Sequence, residues 1–272
     1  MKKLFKYLST ALGLVFAFFL LINIVIRPTN DRDWNLDQAV LPYSEINGNT
    51  ISIYNIRDFE YASTTSYTAH YYDKTFDLDK IKNVYFVVEP FSGYVGAAHT
   101  FLSFEFEDDQ FVAISVEIRK EKGESFSAVK GLLNQYELMY VIADEKDVVK
   151  LRSNYRHDLV YVYPIKTSKE KIRSAFLDML DRANKLKEKP EFYNTLTNTC
   201  TTNIVSHVNK ISPKRVPFSL KVLLPAKSDL LAYEIGLIDT NLPFEEARAK
   251  YLINERALKY ADSEDFSRLI RE

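Results

Sequence analysis

An apolar segment near the N-terminus constrains this chain more than any other feature. Residues 8–26 form a run of 19 residues without a charge, long enough to cross the hydrocarbon core of a bilayer. Three lysines and no acidic residue precede it, so the start is expected in the cytoplasm and the remainder exported. A cleavable signal peptide has a shorter apolar region and a small-x-small cleavage site, whereas this segment ends in I-V-I-R-P. We therefore predict an uncleaved transmembrane anchor over residues 1–27.

The composition after the anchor excludes some classes of partner. The first 30 residues contain four basic residues and no acidic one, which leaves 32 basic and 37 acidic residues, a net charge of −5, for the rest. A mildly acidic domain without a basic stripe argues against nucleic acid as a partner. The single cysteine cannot form an intrachain disulfide. A lone thiol in an exported domain is expected to be reactive or to pair between chains.

The exported part has the pattern of one α+β domain. Residues 28–50 are polar and turn-prone and predict a stalk or irregular arm, while residues 51–272 predict a single domain with a helical C-terminal tail. A central antiparallel sheet of five or six strands is expected from runs that alternate or are continuously apolar. These runs cover residues 50–54, 83–88, 99–106, 111–119, 138–142 and 159–163.

Three helices are predicted. Residues 168–187 carry an apolar stripe at helical spacing, with Thr167 and Glu170 as a capping box. A second helix is predicted with Cys200 in its first turn, because apolar residues recur at three- and four-residue steps from Ile204 until Pro213 limits the run. Residues 244–261 form the main helix of the tail.

The runs 99–106 and 111–119 predict an antiparallel hairpin, since a short polar turn joins them. Period-two alternation places His99 on one face of the first strand. It places Ser115, Glu117 and Arg119 on one face of the second. The pattern alone favours a solvated ion pair between Glu117 and Arg119.

The stretch Y-N-T-L-T-N-T-C-T-T-N, residues 193–203, contains the only cysteine. An inert buried cysteine usually has apolar neighbours, but those of Cys200 are polar. A thiol in the first turn of a helix also meets the positive end of the macrodipole, which favours the thiolate. Cys200 is therefore a candidate nucleophile, with an inert thiol as the alternative.

A nucleophilic thiol needs a base, and imidazole suits that task near neutral pH. His99 opens a strand after a glycine-bearing loop, whereas His70 lies in a tyrosine-rich stretch and His157 in a charged loop. His207 is seven positions after Cys200, about 10 Å along the helix, and is a poor direct partner. His99 is thus the candidate base.

Other polar residues have simpler interpretations. Asn194 and Asn198 are expected in turns or caps. Several charged residues would most often lie on the surface: Glu137, Asp144, Glu145, Asp147 and Arg152. The abundant Phe and Tyr are mostly core, although a groove for an acyl chain would use the same residues. No H-E-x-x-H, C-x-x-C or G-x-S-x-G motif occurs, so neither a metal nor another cofactor is predicted, and a serine hydrolase is poorly supported.

Several sequence blocks follow one another in an order that identifies a family. They are R-D-F-E-Y (57–61), A-H-T-F-L-S-F-E-F (98–106), S-V-E-I-R-K-E (115–121), Y-E-L-M-Y-V (136–141) and F-Y-N-T-L-T-N-T-C-T (192–201). Together with L-L-P and G-L-I-D nearer the C-terminus, they resemble the Lnb N-terminal periplasmic domain family. The likeness covers about residues 30–270.

The resemblance implies a papain-like fold of the NlpC/P60 type in circularly permuted order, preceded by one transmembrane helix. It also implies the activity of the membrane-anchored lipoprotein N-acyltransferases in that family. Cys200 would take a fatty acyl chain from a phospholipid as a thioester and pass it to the α-amine of the diacylglyceryl-cysteine of a lipoprotein. The partners are then a phospholipid donor, a lipoprotein N-terminus and the membrane. The catalytic domain would stand on the periplasmic side of the inner membrane.

The resemblance assigns roles to individual residues as well. His99 is the general base and acid, and Glu117 is the orienting group. Backbone N–H groups at the start of the Cys200 helix form the oxyanion hole. Tyr193, Asn198 and Ser115 are expected to support the substrate.

Two other functions remain open at this stage. The wider fold more often serves cysteine peptidases or amidases that act on cell-wall peptide. The third hypothesis is a non-catalytic binding domain that keeps the fold.

Overall fold

The computed structural model describes residues 26–272 and, before them, residues 3, 5, 7, 10 and 13. Most of the predicted anchor therefore lies outside the described residues. Among the helices that are described, none is both long and apolar enough to cross a membrane.

A mixed β-sheet forms the centre of the domain. The strands are β1 (Tyr43–Asn47), β2 (Thr50–Arg57), β3 (Glu60–Tyr61), β4 (Tyr67–Thr68), β5 (Tyr71–Asp77), β6 (Ile81–Pro90), β7 (Ala98–Phe106), β8 (Gln110–Arg119), β9 (Glu137–Ala143) and β10 (Tyr161–Pro164). Eight of them form one sheet in the order β1-β2-β9-β8-β7-β6-β10, with β5 also paired to β2, and β3 pairs with β4 separately. The predicted antiparallel sheet is confirmed except between β2 and β9, which pair in parallel at Arg57 and Ala143.

Helices lie on both faces of this sheet. They are α1 (Ala128–Leu132), α2 (Glu145–Lys150), α3 (Lys169–Glu188), α4 (Cys200–Ile211), α5 (Leu220–Leu223), α6 (Ser228–Glu234), α7 (Phe244–Tyr251), α8 (Asn254–Lys259) and α9 (Phe266–Leu269). Short 3₁₀ turns cover Leu36–Gln38, Leu78–Lys80 and Pro225–Lys227, and a π-helical turn covers Leu151–Tyr155.

The β7–β8 hairpin is formed as its alternation predicts. Phe101 pairs with Ser115, and the register continues to Phe106 opposite Gln110. Alternate residues of β7 then enter two separate apolar cores. Leu102 and its neighbours pack with α3 and α4, whereas Phe101 packs with residues of α2, α8 and α9. Strand β7 is buried throughout because helices cover both of its faces.

The predicted arm is in part a component of the sheet. Strand β1 pairs with β2 through a tight turn, so the boundary predicted at residue 50 falls inside a hairpin. Trp34 is buried, and the Arg119 guanidinium lies over it, 4.3 Å from the centroid of the Trp34 ring. Arg119 therefore makes a cation–π contact and does not form the predicted ion pair with Glu117.

Two helix predictions require correction. The tail helix expected over residues 244–261 is divided into α7 and α8, because the backbone at Leu252 and Ile253 pairs with another segment of the chain and does not continue the helix. Leu252 forms a bridge with Tyr161, and the Ile253 N–H donates to the Val160 carbonyl at 3.0 Å. Helix α3 begins at the expected place, but its N-cap is Ser168, which makes no side-chain capping bond, and not Thr167.

Charged residues interpreted as surface groups are instead largely buried. Asp147 forms a bidentate pair with Arg57, both contacts at 2.8 Å. Glu145 pairs with Arg271, and Glu137 pairs with Arg32. A carboxylate on a short helix or strand can be buried only where the fold brings it a cation, which the local pattern does not reveal.

Candidate active site

Cys200 is the first residue of α4 and so lies in the first turn of a helix, as the sequence predicts. Thr199 is the N-cap and forms a capping box: its hydroxyl accepts the Thr202 N–H at 3.2 Å, and the Thr202 hydroxyl accepts the Thr199 N–H at 2.7 Å. The first N–H groups of a helix have no intrahelical acceptor. In the capping box the Thr202 N–H donates to Thr199. The N–H groups of Cys200 and Thr201 are then available to an anionic oxygen.

The loop before Cys200 is held by asparagine side chains. Asn194 and Asn198 exchange two backbone hydrogen bonds, of 3.2 and 2.9 Å. The Asn198 amide donates to the Phe192 carbonyl at 2.8 Å and accepts from Asn203 at 2.8 Å. Asn198 thus fixes the approach to α4. Its predicted contact with substrate remains a prediction.

Tyr193 lies beside the thiol. It is buried in the same apolar core as Cys200, and burial together with the nearby Cys200 thiol raises the pKa of its phenol. Gly131 of α1 permits this packing, because a Cβ there would lie 3.1 Å from the Tyr193 ring and clash with the Thr195 hydroxyl. Tyr193 is therefore one predicted site residue that the structure places at Cys200.

His99, Ser115 and Glu117 form a second, separate group. The His99 Nε2 lies 2.7 Å from the Ser115 hydroxyl, which donates to Glu117 Oε1 at 2.8 Å. Since Ser115 uses its one hydrogen on the carboxylate, Nε2 must carry a proton and donate to Ser115. Nδ1 is then the nitrogen with a free lone pair. Ser115 has no exposed surface, and its hydroxyl bonds to both His99 and Glu117. This position does not suit its predicted contact with substrate.

Arg152 and Glu89 extend this group, and sequence reasoning missed their roles. Arg152 donates to Glu117 Oε1 at 3.1 Å and to the Val148 carbonyl at 2.7 Å. Its Nε lies 2.6 Å from Glu89 Oε2, but neither atom makes a hydrogen bond of good geometry, so this contact is an ion pair. A signal was present in the sequence, because Glu89 ends an otherwise apolar run.

Burial and charge together set the protonation of this network. Burial and the positive charge of Arg152 lower the pKa of His99 to about 3, so its imidazole is neutral at pH 7. Burial opposes ionisation of Glu117, but Arg152, together with other neighbours that include Arg57 and the Ser115 hydroxyl, outweighs it and lowers the pKa of that carboxyl. Burial raises the pKa of Glu89 to about 7.

The predicted pairing of Cys200 with His99 is not formed. Within the described residues, the hydrogen-bond contact of Cys200 Sγ is the Thr201 hydroxyl, at 3.8 Å. Thr100 meets Thr201 at 3.0 Å and so faces α4. Successive side chains of a strand point to opposite faces, which turns His99 away from α4. His99 instead stacks on Phe101, with ring centroids 5.7 Å apart.

The other histidines do not replace it. His207 is buried, with Nε2 2.7 Å from the Tyr140 hydroxyl and Nδ1 2.6 Å from Asp178. His70 and His157 are exposed. In the part of the chain that the structure describes, no group of three or more His, Cys, Asp or Glu side chains could hold a metal ion.

An apolar cavity of about 180 Å³ adjoins the start of α4. Thr201, next to Cys200, lines it, and the remaining wall is mainly aliphatic and aromatic. Six of those residues are Phe86, Leu102, Ile172, Ile204, Val208 and Leu231. The cavity therefore suits a hydrocarbon group that reaches the first turn of α4 at Thr201, although Cys200 itself does not line it.

Replacing His99 with glutamine is expected to reduce the loss of stability on acidification. A histidine with a folded-state pKa near 3 and an unfolded value near 6.5 destabilises the fold as pH falls between those values. The effect approaches about 1.4 kcal/mol per pH unit for one proton. Glutamine keeps a donor for Ser115 but does not titrate. Chemical denaturation of both proteins from pH 7 to pH 4.5 measures the difference, and parallel stability curves would contradict a buried neutral imidazole.

Comparison with known proteins gives one match. The family model of the Lnb N-terminal periplasmic domain matches residues 67–226, more than half of the chain. That range contains His99, Ser115, Glu117, Arg152 and Cys200. No curated protein and no solved structure matches the chain.

Proposed function

The chain belongs to the Lnb N-terminal periplasmic domain family, and on this premise we propose that it is a cysteine-dependent lipoprotein N-acyltransferase. It transfers a fatty acyl chain from a phospholipid, through a thioester on Cys200, to the α-amine of the diacylglyceryl-cysteine of a lipoprotein. The family description supports a periplasmic position. We further propose that residues 1–27 hold the domain on the inner membrane as a single-pass anchor.

The apolar cavity that reaches the first turn of α4, next to Cys200 in the chain, is the observation that carries this proposal. A hydrocarbon chain gains about 0.8 kcal/mol for each methylene removed from water, and the cavity offers mainly aliphatic and aromatic surface. A cell-wall peptide would instead need polar partners for its amides. The lining thus favours acyl transfer over peptide hydrolysis.

The position of Cys200 supports its role as nucleophile. The macrodipole of α4 and its free N–H groups stabilise negative charge at the first turn. The same N–H groups, of Cys200 and Thr201, are suited to the oxyanion that forms when the thiolate attacks an ester carbonyl. Tyr193 is buried in the same apolar core as Cys200.

The reaction has two balanced steps. In the first, the thiolate attacks the phospholipid ester, the acyl–oxygen bond breaks, and the lysophospholipid alkoxide takes a proton. In the second, the lipoprotein amine attacks the thioester, loses a proton, and expels the thiolate as the amide forms. No oxidant or further co-reactant is needed.

His99 is proposed as the group that accepts and returns the proton. Its imidazole is neutral, and Nε2 is committed to Ser115, so Nδ1 is the accepting atom. Because Sγ makes no hydrogen bond to the ring in this structure, this role requires the thiol and the imidazole to come closer when substrate binds, as catalytic hydrogen bonds often do. Glu117 acts through Ser115 to hold the tautomer.

Trapping the acyl-enzyme tests the proposal. The full chain, incubated with phospholipid and without acceptor, is expected to gain the mass of one acyl group by intact mass spectrometry. Neutral hydroxylamine should remove it, as it cleaves thioesters. Cys200→Ala should gain nothing, whereas Ser206→Ala, an exposed position on the same helix, should behave like the parent. An adduct that persists in Cys200→Ala would contradict the proposal.

A further inference from the structure

An exposed apolar patch lies beside the cavity. Two segments supply it: residues 91–96, between β6 and β7, and residues 213–227, after α4. Its large side chains are Tyr94, Val95, Phe218, Leu220 and Leu224, all of them exposed. Phe218 retains 86% of its accessible surface. Contiguous exposure of this kind usually indicates a surface for a partner or a membrane.

The two segments of the patch are in contact. The Ala226 N–H donates to the Gly96 carbonyl at 3.2 Å. Gly96 has a φ of +83°, and a Cβ there would lie 3.0 Å from Leu224. Glycine thus permits both the turn and the close approach. The patch is therefore one surface formed by distant parts of the chain.

The charge of this surface is positive. Residues 212–228 contain Lys214, Arg215, Lys221 and Lys227 and no acidic residue. Lys221 pairs with Glu234. Among the described residues, no carboxylate forms an ion pair with Lys214, Arg215 or Lys227. Three uncompensated cations beside exposed apolar side chains complement an anionic lipid surface.

The same segment also forms part of the cavity wall. Val216 and Val222 line the cavity, while Phe218 and Leu220, between them in the chain, are exposed. One short segment therefore has an apolar side toward the cavity and another toward solvent. This segment therefore connects the patch with the cavity wall.

We propose that residues 91–96 and 213–227 dock on the surface of a bilayer that contains anionic phospholipid and place the cavity at the lipid boundary. An acyl chain then enters from the bilayer without crossing water. The choice of lipid as occupant rests in part on the proposed acyl transfer. Charge argues against a second copy docked through the same surface, because the unpaired cations of the two copies would then face and repel one another.

Tryptophan fluorescence in bilayers tests the docking. Trp34 is the only tryptophan in the chain and is buried, so the parent protein supplies a background signal. The full chain is reconstituted in nanodiscs of phosphatidylglycerol, with or without bromine on the acyl chains. Phe218→Trp is expected to lose at least about half of its added emission to brominated lipid, since its ring enters the interface. Leu258→Trp is the matched control: Leu258 is 56% exposed and lies on α8, on the opposite side of the sheet.

The outcomes separate the alternatives. Lys214→Glu with Arg215→Glu should weaken quenching in phosphatidylglycerol and leave little further dependence on headgroup charge. Equal quenching of the two tryptophans, or none for Phe218→Trp, would overturn the proposal. So would a blue shift of Phe218→Trp without quenching, which indicates that another protein or a second copy covers the patch. Quenching does not require activity, so docking without an acyl adduct would refute the proposed function alone.

Discussion

Cys200→Ala is expected to abolish transfer of an acyl chain to lipoproteins, with a loss of at least about a thousandfold in rate. Loss of a nucleophile removes the covalent pathway and leaves only binding and charge stabilisation. The cost to folding should be small, about 1 kcal/mol, since one buried sulfur atom is removed. In a host without its own N-acyltransferase, the parent chain should restore triacylated lipoproteins and Cys200→Ala should not.

Ser206→Ala and Cys200→Ser define the comparison. Ser206→Ala keeps the thiol and should restore triacylation as the parent does. Cys200→Ser keeps the size of the side chain but replaces the thiol with a hydroxyl of much higher pKa, and it should fail like alanine. Mass spectrometry of lipoprotein N-termini measures all four proteins. Triacylation by Cys200→Ala would end the case for a thioester mechanism.

Arg152→Met is expected to destabilise the fold by about 3–5 kcal/mol. Methionine preserves much of the apolar packing over Phe101, but it leaves the Glu117 carboxylate buried without its cation and raises the already elevated pKa of Glu89 further. Removal of one partner of a buried ion pair costs far more than the pair itself contributes. Chemical denaturation at pH 7.5 measures this change.

A neighbouring arginine provides the control. Arg156 lies 3.6 Å from Glu89, but its side chain is 39% exposed, so Arg156→Met should cost less than about 1 kcal/mol. Glu89→Gln combined with Arg152→Met should recover part of the loss, because glutamine removes the cost of burying the Glu89 carboxylate or of protonating it at pH 7.5. The loss in Arg152→Met should also shrink at lower pH, as the carboxyls take up protons. An Arg152→Met protein as stable as the parent would show that the network does not support the fold.

Local patterns predicted much of the fold. The alternation of residues 99–119 gave the hairpin, the apolar stripe gave α3 within one residue at each end, and Cys200 is the first residue of its helix. Long-range pairing was not visible in the same way. The split between α7 and α8 depends on Leu252 meeting Tyr161, about 90 residues away, and no local signal marks it.

The residues of the candidate site show the same difference between local and long-range information. Tyr193 and Asn198 are close to Cys200 in the chain, and the structure places Tyr193 at the thiol and Asn198 in the loop that leads to it. Glu89 and Arg152 are distant from His99 in sequence and were not identified. Neither residue predicts the ion pair by itself, because the two charges are brought together only by the fold.

The sequence by itself determined which residues share a strand face and where the helix of Cys200 begins, because period-two alternation and helix capping depend on neighbours within a few positions. It thereby grouped Ser115 with Glu117 and left Thr100 on the face opposite His99. Only the tertiary structure decided which face α4 covers. Because α4 packs on the side of Thr100, which its Thr201 contacts, His99 is joined to Ser115, Glu117 and Arg152 on the other side, while Cys200 lies in the apolar core that α4 covers.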